Sequence, residues 1–214
     1  LKGNLIQQGT YKNDKLEGKM TLFYPNKKVK NESYFSAGEL NGTSKKFHKS
    51  GKLIEEFNYV GGNEQGEGKT YYENGNIQTK GNYEKGLLTG NHITYHKNGK
   101  EKLIVATQNG DKGTGHFKSY KENGSLLQEG EMQKGKIHGT AKNFYESGKL
   151  EREIPYMNGT KKGVEKAYYE SGKLKEEIVH SNLGKDQVAK GYYESGILKS
   201  ESEIHFEKSV GKWK

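Results

Sequence analysis

The sequence predicts an all-β protein, an elongated and twisted antiparallel sheet or solenoid built from tandem β-hairpin repeats of about 24 residues. Three observations predict it. An aromatic residue at Phe23, Phe47, Tyr71, Tyr95, Tyr120, Phe144, Tyr168 and Tyr192 recurs at intervals of 24, 24, 24, 25, 24, 24 and 24 residues. A three-residue segment ending in Gly follows nearly every one of them, as in FYESGKL at Phe144 to Leu150. The flanking residues alternate with period two: Leu150, Ile154 and Tyr156 fall on one side of a strand, Glu151 and Glu153 on the other. A glycine every few residues disfavours helix.

The elements then follow in order. Residues 1–17 read as a partial repeat, 18–210 as eight tandem repeats and 211–214 as a truncated repeat or cap holding Trp213, all within one repeat domain 1–214. Each copy opens on a Gly (Gly18, Gly42, Gly66, Gly90, Gly115, Gly139, Gly163), with Gln187 in that place in the eighth. The aromatic pair comes next, then the turn. Its x-Asn-Gly or x-Ser-Gly sequence fits a type I turn closed by a residue with positive φ. Gly51, Gly75, Gly99, Gly124, Gly148, Gly172 and Gly196 fill that closing position, and Lys27 fills it in the first copy at a penalty. An aliphatic residue returns the chain, and a late aromatic or apolar one (Phe35, Tyr59, Tyr83, Met132, Tyr156, Ile204) precedes a second, Gly-rich turn. Strands about 4.8 Å apart would carry such an array over roughly 80 Å. The fourth copy has Glu101 at the aliphatic position and one extra residue before Gly115, so a bulge or register shift is expected there.

Composition bounds the function. Leu, Ile, Val and Phe make up only 39 of 214 residues, a share under which a charged chain is suspected of disorder. Phased aromatics overrule that suspicion and imply a thin fold that buries little per repeat. The absence of cysteine excludes disulfides and thiolate metal sites. The net charge of +9 rests almost wholly on Lys, dispersed among 27 carboxylates, with Arg152 the sole Arg. That is a solvated face rather than a base-reading one.

No catalytic constellation emerges. His92 and His96, four apart on a strand, sit about 13 Å apart, too far to share a metal. Glu73, Glu122, Glu146, Glu170 and Glu194 occupy exposed turns. The run Gly110 to Gly115 lacks both the Gly-Lys-Ser/Thr ending and the helix of a phosphate loop. No enzyme activity, cofactor or metal is expected.

The segment between the late aromatic and the next opening Gly reads YEKGLLTG at Tyr83 to Gly90, YMNGTKKG at Tyr156 to Gly163 and FSAGELNG at Phe35 to Gly42. It resembles the MORN repeat, and the Glu-Asn-Gly or Glu-Ser-Gly turn resembles its bacterial variant. The resemblance implies a row of hairpins and a role in protein–protein contacts. It also implies, as alternatives, an antitoxin or immunity protein masking a toxin, or binding to anionic lipid. Nucleic acid is the further alternative, through Lys with Tyr stacking.

Two ladders of side chains suggest where a partner sits. Phe144 and Leu150 with their counterparts are assigned to the buried face. The second ladder, on the other side of the pleat, is the candidate partner-binding surface: Tyr24, His48, Tyr72, His96, Tyr145, Tyr169 and Tyr193, with Lys121 in one copy. The partner is expected to be another protein, with no small-molecule substrate. A chain that starts at Leu1, lacks cysteine and has no membrane span is read as bacterial and lacking its true N-terminus. An exported or envelope location stands ahead of a cytoplasmic one.

Overall fold

A computed structural model of the chain describes residues 6–107, 113–181 and 186–205. The regular elements in these residues are strands, and they fall into two units, residues 1–112 and 113–214. The first holds β1 (Gln7–Lys12), β2 (Lys15–Phe23), β3 (Val29–Ser36), β4 (Glu39–Phe47), β5 (Leu53–Val60), β6 (Asn63–Glu64), β7 (Gly66–Tyr71), β8 (Ile77–Glu84), β9 (Leu87–Tyr95) and β10 (Glu101–Thr107). The second holds β11 (Gly115–Tyr120), β12 (Leu126–Gln133), β13 (Lys136–Phe144), β14 (Leu150–Met157), β15 (Thr160–Lys161), β16 (Gly163–Tyr168), β17 (Leu174–Ser181), β18 (Asp186–Tyr192) and β19 (Leu198–His205). Within each unit the strands pair antiparallel in chain order, as an up-and-down meander. The all-β hairpin array read from the sequence is the observed fold.

Two turn types alternate along the meander. In the aromatic turns the N–H three residues on returns to the carbonyl of the second aromatic, as Gly148 N–H does to Tyr145 O at 3.0 Å. Tyr145 N–H in turn donates to Lys149 O at 2.8 Å, closing a three-residue hairpin loop. Gly148 has φ +82°, and Lys27 holds the same conformation at +67°. Open space surrounds a Cβ built on Gly148, so Gly148→Val meets backbone strain alone. We expect it to lower stability by about 1–2 kcal/mol in urea unfolding. The linking turns are two-residue loops with positive φ at both positions, such as Lys85-Gly86 (+50°, +77°) and Asn158-Gly159 (+52°, +83°). That is the type I′ geometry, whose twist matches the strands it joins.

A register shift is observed in the fourth copy, as expected. In the fourth copy Glu101 faces Tyr95 and Leu103 faces Thr94. The same one-residue shift follows the aromatic in other copies: Phe144 faces Leu150 while Asn143 faces Arg152. The shift thus recurs at the hairpin ends. Residues 108–112 and Trp213 lie outside the described residues.

The core is placed differently from the expectation. Phe144 and Leu150 are opposite each other but only half-buried, and Leu198 of the same ladder is exposed. Among the described residues the buried apolar side chains are Phe117, Ala141, Ile154 and Ala167. They arise where large residues in one strand lie over small ones in the next. Phe117 covers Gly130, and Phe57 and Tyr83 cover Gly68, their rings 5.6 Å apart and edge-on at 63°. A single sheet has no second layer to pack against, so its rings lie down on neighbouring backbone instead.

Candidate functional site

The turn edge is built by the second aromatic ladder. The Tyr24 hydroxyl donates to Phe47 O at 2.8 Å, Tyr72 to Tyr95 O at 2.7 Å, Tyr145 to Tyr168 O at 2.6 Å and Tyr169 to Tyr192 O at 2.8 Å. Each Tyr thus reaches across one hairpin to the carbonyl of the next repeat's first aromatic. Neighbouring side chains repeat the gesture: Asn74 Nδ2 donates to Lys97 O at 2.8 Å and Lys149 Nζ to Glu170 O at 2.8 Å. Turn carbonyls that no strand can satisfy are satisfied by the adjacent hairpin. Burial, with Glu151 and Glu170 nearby, holds the Tyr145 hydroxyl above its ordinary range.

The remaining predicted site residues differ. His48 turns onto its own loop, its Nδ1 2.9 Å from Ser50 Oγ and accepting Ser50 N–H at 3.2 Å. His96 and Lys121 are half-buried. Tyr193 is 51% exposed, with Lys199 Nζ 5.6 Å from its ring centroid. Lys175 stands likewise over Tyr169. The ladder therefore joins hairpins through its polar tips and leaves its rings partly accessible. We expect Tyr145→Phe and Tyr169→Phe each to lower stability by about 1 kcal/mol, read as a shift in urea midpoint at unchanged m-value.

A second constellation went unread in the sequence. In the unit of residues 113–214, the register aligns Lys118, Glu129, Lys142, Glu153, Lys166, Glu177, Lys190 and Glu201 side by side, one per long strand. Direct antiparallel partners share a face, so this is one row of eight strictly alternating charges. Lys118–Glu129 stand 3.4 Å apart, Lys166–Glu177 3.8 Å and Lys190–Glu201 3.1 Å. Tyr168 donates to Glu153 Oε2 at 2.9 Å, tying the first aromatic ladder to the row; burial and that carboxylate hold its hydroxyl above the ordinary range. Two residues along each strand lie Thr140, Pro155, Val164, Val179 and Val188. Val164 and Val179 face each other and are 45% and 41% exposed. The signal was present as columns of Lys and Glu at the repeat period, but only strand pairing shows that the two columns interleave.

The first unit carries an imperfect version: Thr21, Glu32, Lys45, Glu56, Lys69, Lys80, Ile93 and Ile104. There Lys69 and Lys80 are neighbours, and both bond to Glu67.

The third feature is a buried charge cluster. Glu165, only 2% exposed, accepts from Arg152 Nη1 at 2.7 Å, Lys161 Nζ at 2.8 Å and His180 Nε2 at 2.9 Å. Arg152 also reaches Glu176 at 3.3 Å. Burial pushes the Glu165 carboxyl up, but its bonds to Lys161, His180 and Arg152 outweigh this and hold it below the usual carboxylate range. His180 occupies the late-aromatic position of its repeat, and its buried Nδ1 has no hydrogen-bond partner. Cations already satisfy the carboxylate, so the cluster is an internal clamp rather than an open acid–base site. Among the described residues no group of three or more His, Cys, Asp and Glu could hold a metal.

A family model described as MORN repeat variant matches residues 16–37, 40–60, 64–85, 114–134, 137–158, 161–182 and 188–205. The unmatched interval contains the fourth copy, where the charge row gives way to Ile93 and Ile104. No curated protein matches the chain. Among solved structures, a chain in the crystal structure of TcdB2-TccC3-Cdc42 is similar over 92% of this chain, at 10% identity and a TM-score of 0.20. The present chain spans 14% of that chain's length, and a likeness of this extent carries no functional argument.

Proposed function

Because the chain belongs to the MORN repeat variant family, whose repeats are generally non-catalytic and commonly contact proteins or membranes, we propose that it is a non-enzymatic protein–protein interaction module. Its contact surface is the charged face of residues 113–214. One observation carries this reading: Val164 and Val179 stand exposed side by side on the face that carries the row of alternating Lys and Glu. An apolar strip flanked by mixed charge is what a protein partner covers.

An anionic membrane or nucleic acid fits this face less well. Each Lys of the row is matched by a Glu, which cancels the positive field that phosphate binding needs. A toxin in the partner's place would make the chain an antitoxin or immunity protein. An exported or envelope setting suits a chain with no thiol to oxidise.

The test is affinity capture on the immobilised full chain, run beside its Val179→Lys variant. A specific protein held by the parent and released at least tenfold more readily by the variant is the expected result. Capture that survives Val179→Lys would overturn the assignment of this face. Binding only to phosphatidylserine vesicles or single-stranded DNA, lost on adding salt, would overturn the protein-partner reading itself.

A further inference from the structure

Resting on that interaction reading, we propose that the partner of the charged face is a second copy of the same chain. The two copies stack face to face about a twofold axis that runs parallel to the strands between β14 and β16.

The first support is the arithmetic of the charge row. Such an axis reverses the row of one copy over that of the other. A row of eight alternating charges exchanges its signs on reversal, so every Lys meets a Glu. Lys118 meets Glu201 of the second copy, Glu129 meets Lys190, and Lys142 meets Glu177, with the central Glu153 and Lys166 facing each other. The first unit shows the contrast: reversing its row sets Lys45 against Lys80.

The second support is relief, and it is independent of charge. The face is hollow on one side of the axis, in a depression lined by His116, Lys118, Glu129, Glu131, Thr140 and Lys142. Thr140 borders that space. On the other side Val164 and Val179 stand exposed on β16 and β17, with the half-buried Val188 beside them on β18. The twofold axis carries Val179 of one copy over Thr140 of the other, at the edge of its mate's hollow, and Val164 over Pro155.

The area is sufficient. Eight strands about 4.8 Å apart span about 34 Å, and six residues of strand span about 20 Å, giving a footprint of about 700 Å² per copy. A standard interface covers about 800 Å² per partner. Aligned stacking of two twisted sheets is a common packing. The residual exposure of the ion pairs leaves each Lys and Glu free to share its charge with a facing partner.

The chain has no cysteine, so introduced ones report geometry without interference. Full-length Thr140→Cys and Val179→Cys chains, mixed and mildly oxidised, are expected to give a covalent dimer that neither forms alone. Sedimentation equilibrium of the parent should show a dimer, and Val179→Lys should raise its dissociation constant at least tenfold, with the two Tm values equal at concentrations where both chains are monomeric. A parent that stays monomeric up to about 100 μM with no mixed disulfide overturns the proposal. A dimer indifferent to Val179→Lys overturns it as well. A monomer that still captures a different protein through Val179 overturns self-association while leaving the interaction-module reading intact.

Discussion

Glu165→Ala is expected to lower the stability of residues 113–214 by about 3 kcal/mol, near the lower end of the 3–5 kcal/mol for breaking a buried ion pair. The lower end applies because Arg152 and Lys161 are partly exposed and can turn to water once the carboxylate is gone. His180 cannot: it is 5% exposed, and losing Glu165 leaves both ring nitrogens without a partner. The second substitution should therefore rescue the first. Other repeats place Ala141 at the position of Glu165 and Tyr156 at that of His180. Glu165→Ala/His180→Tyr is expected to recover most of the lost stability, a strongly non-additive pair in urea denaturation. Additive losses would mean that the cluster is not one unit.

The same carboxylate sets a pH dependence. Its folded pKa lies below the ordinary value, so the unfolded chain takes up the proton first as pH falls. The stabilisation is complete above the unfolded carboxylate range, near pH 4.3, and fades as pH drops through the lower folded pKa. The parent's Tm should fall more steeply on acidification below about pH 5 than that of Glu165→Ala. Parallel Tm–pH curves would show that Glu165 does not carry the effect.

Gly68→Val is the second large effect, expected at about 3 kcal/mol in the first unit. A Cβ on Gly68 would lie 2.5 Å from two ring atoms of Phe57 and 3.0 Å from the Tyr83 ring, and the two rings are locked edge to face. Neither ring can retreat without giving up the other. The cause is thus overpacking, unlike the φ strain at Gly148, and the two can be told apart. Phe57→Leu should relieve much of the loss at Gly68 and do nothing for Gly148→Val. If Gly68→Val unfolds like the parent, the ring-over-glycine core is wrong.

These cases mark the line between sequence and structure. The sequence by itself determined the hairpin array, because its causes are local: an aromatic, a turn Gly with φ +82°, a two-residue linking turn, a period of 24. Each acts within a few residues of chain, so reading in order suffices. It also carried the columns of the repeat, including a lone Glu at position 165 where neighbouring repeats have Phe117, Ala141 and Ala189. Only the tertiary structure decided what those columns do. Strand pairing interleaved a Lys column from one strand of each hairpin with a Glu column from the other into one charged row. It set Phe57 onto Gly68 and bonded the Tyr145 hydroxyl to the next repeat. The physical reason is that a hairpin's neighbour in space lies about 13 or 24 residues away in sequence, and one residue of register decides which side chains meet.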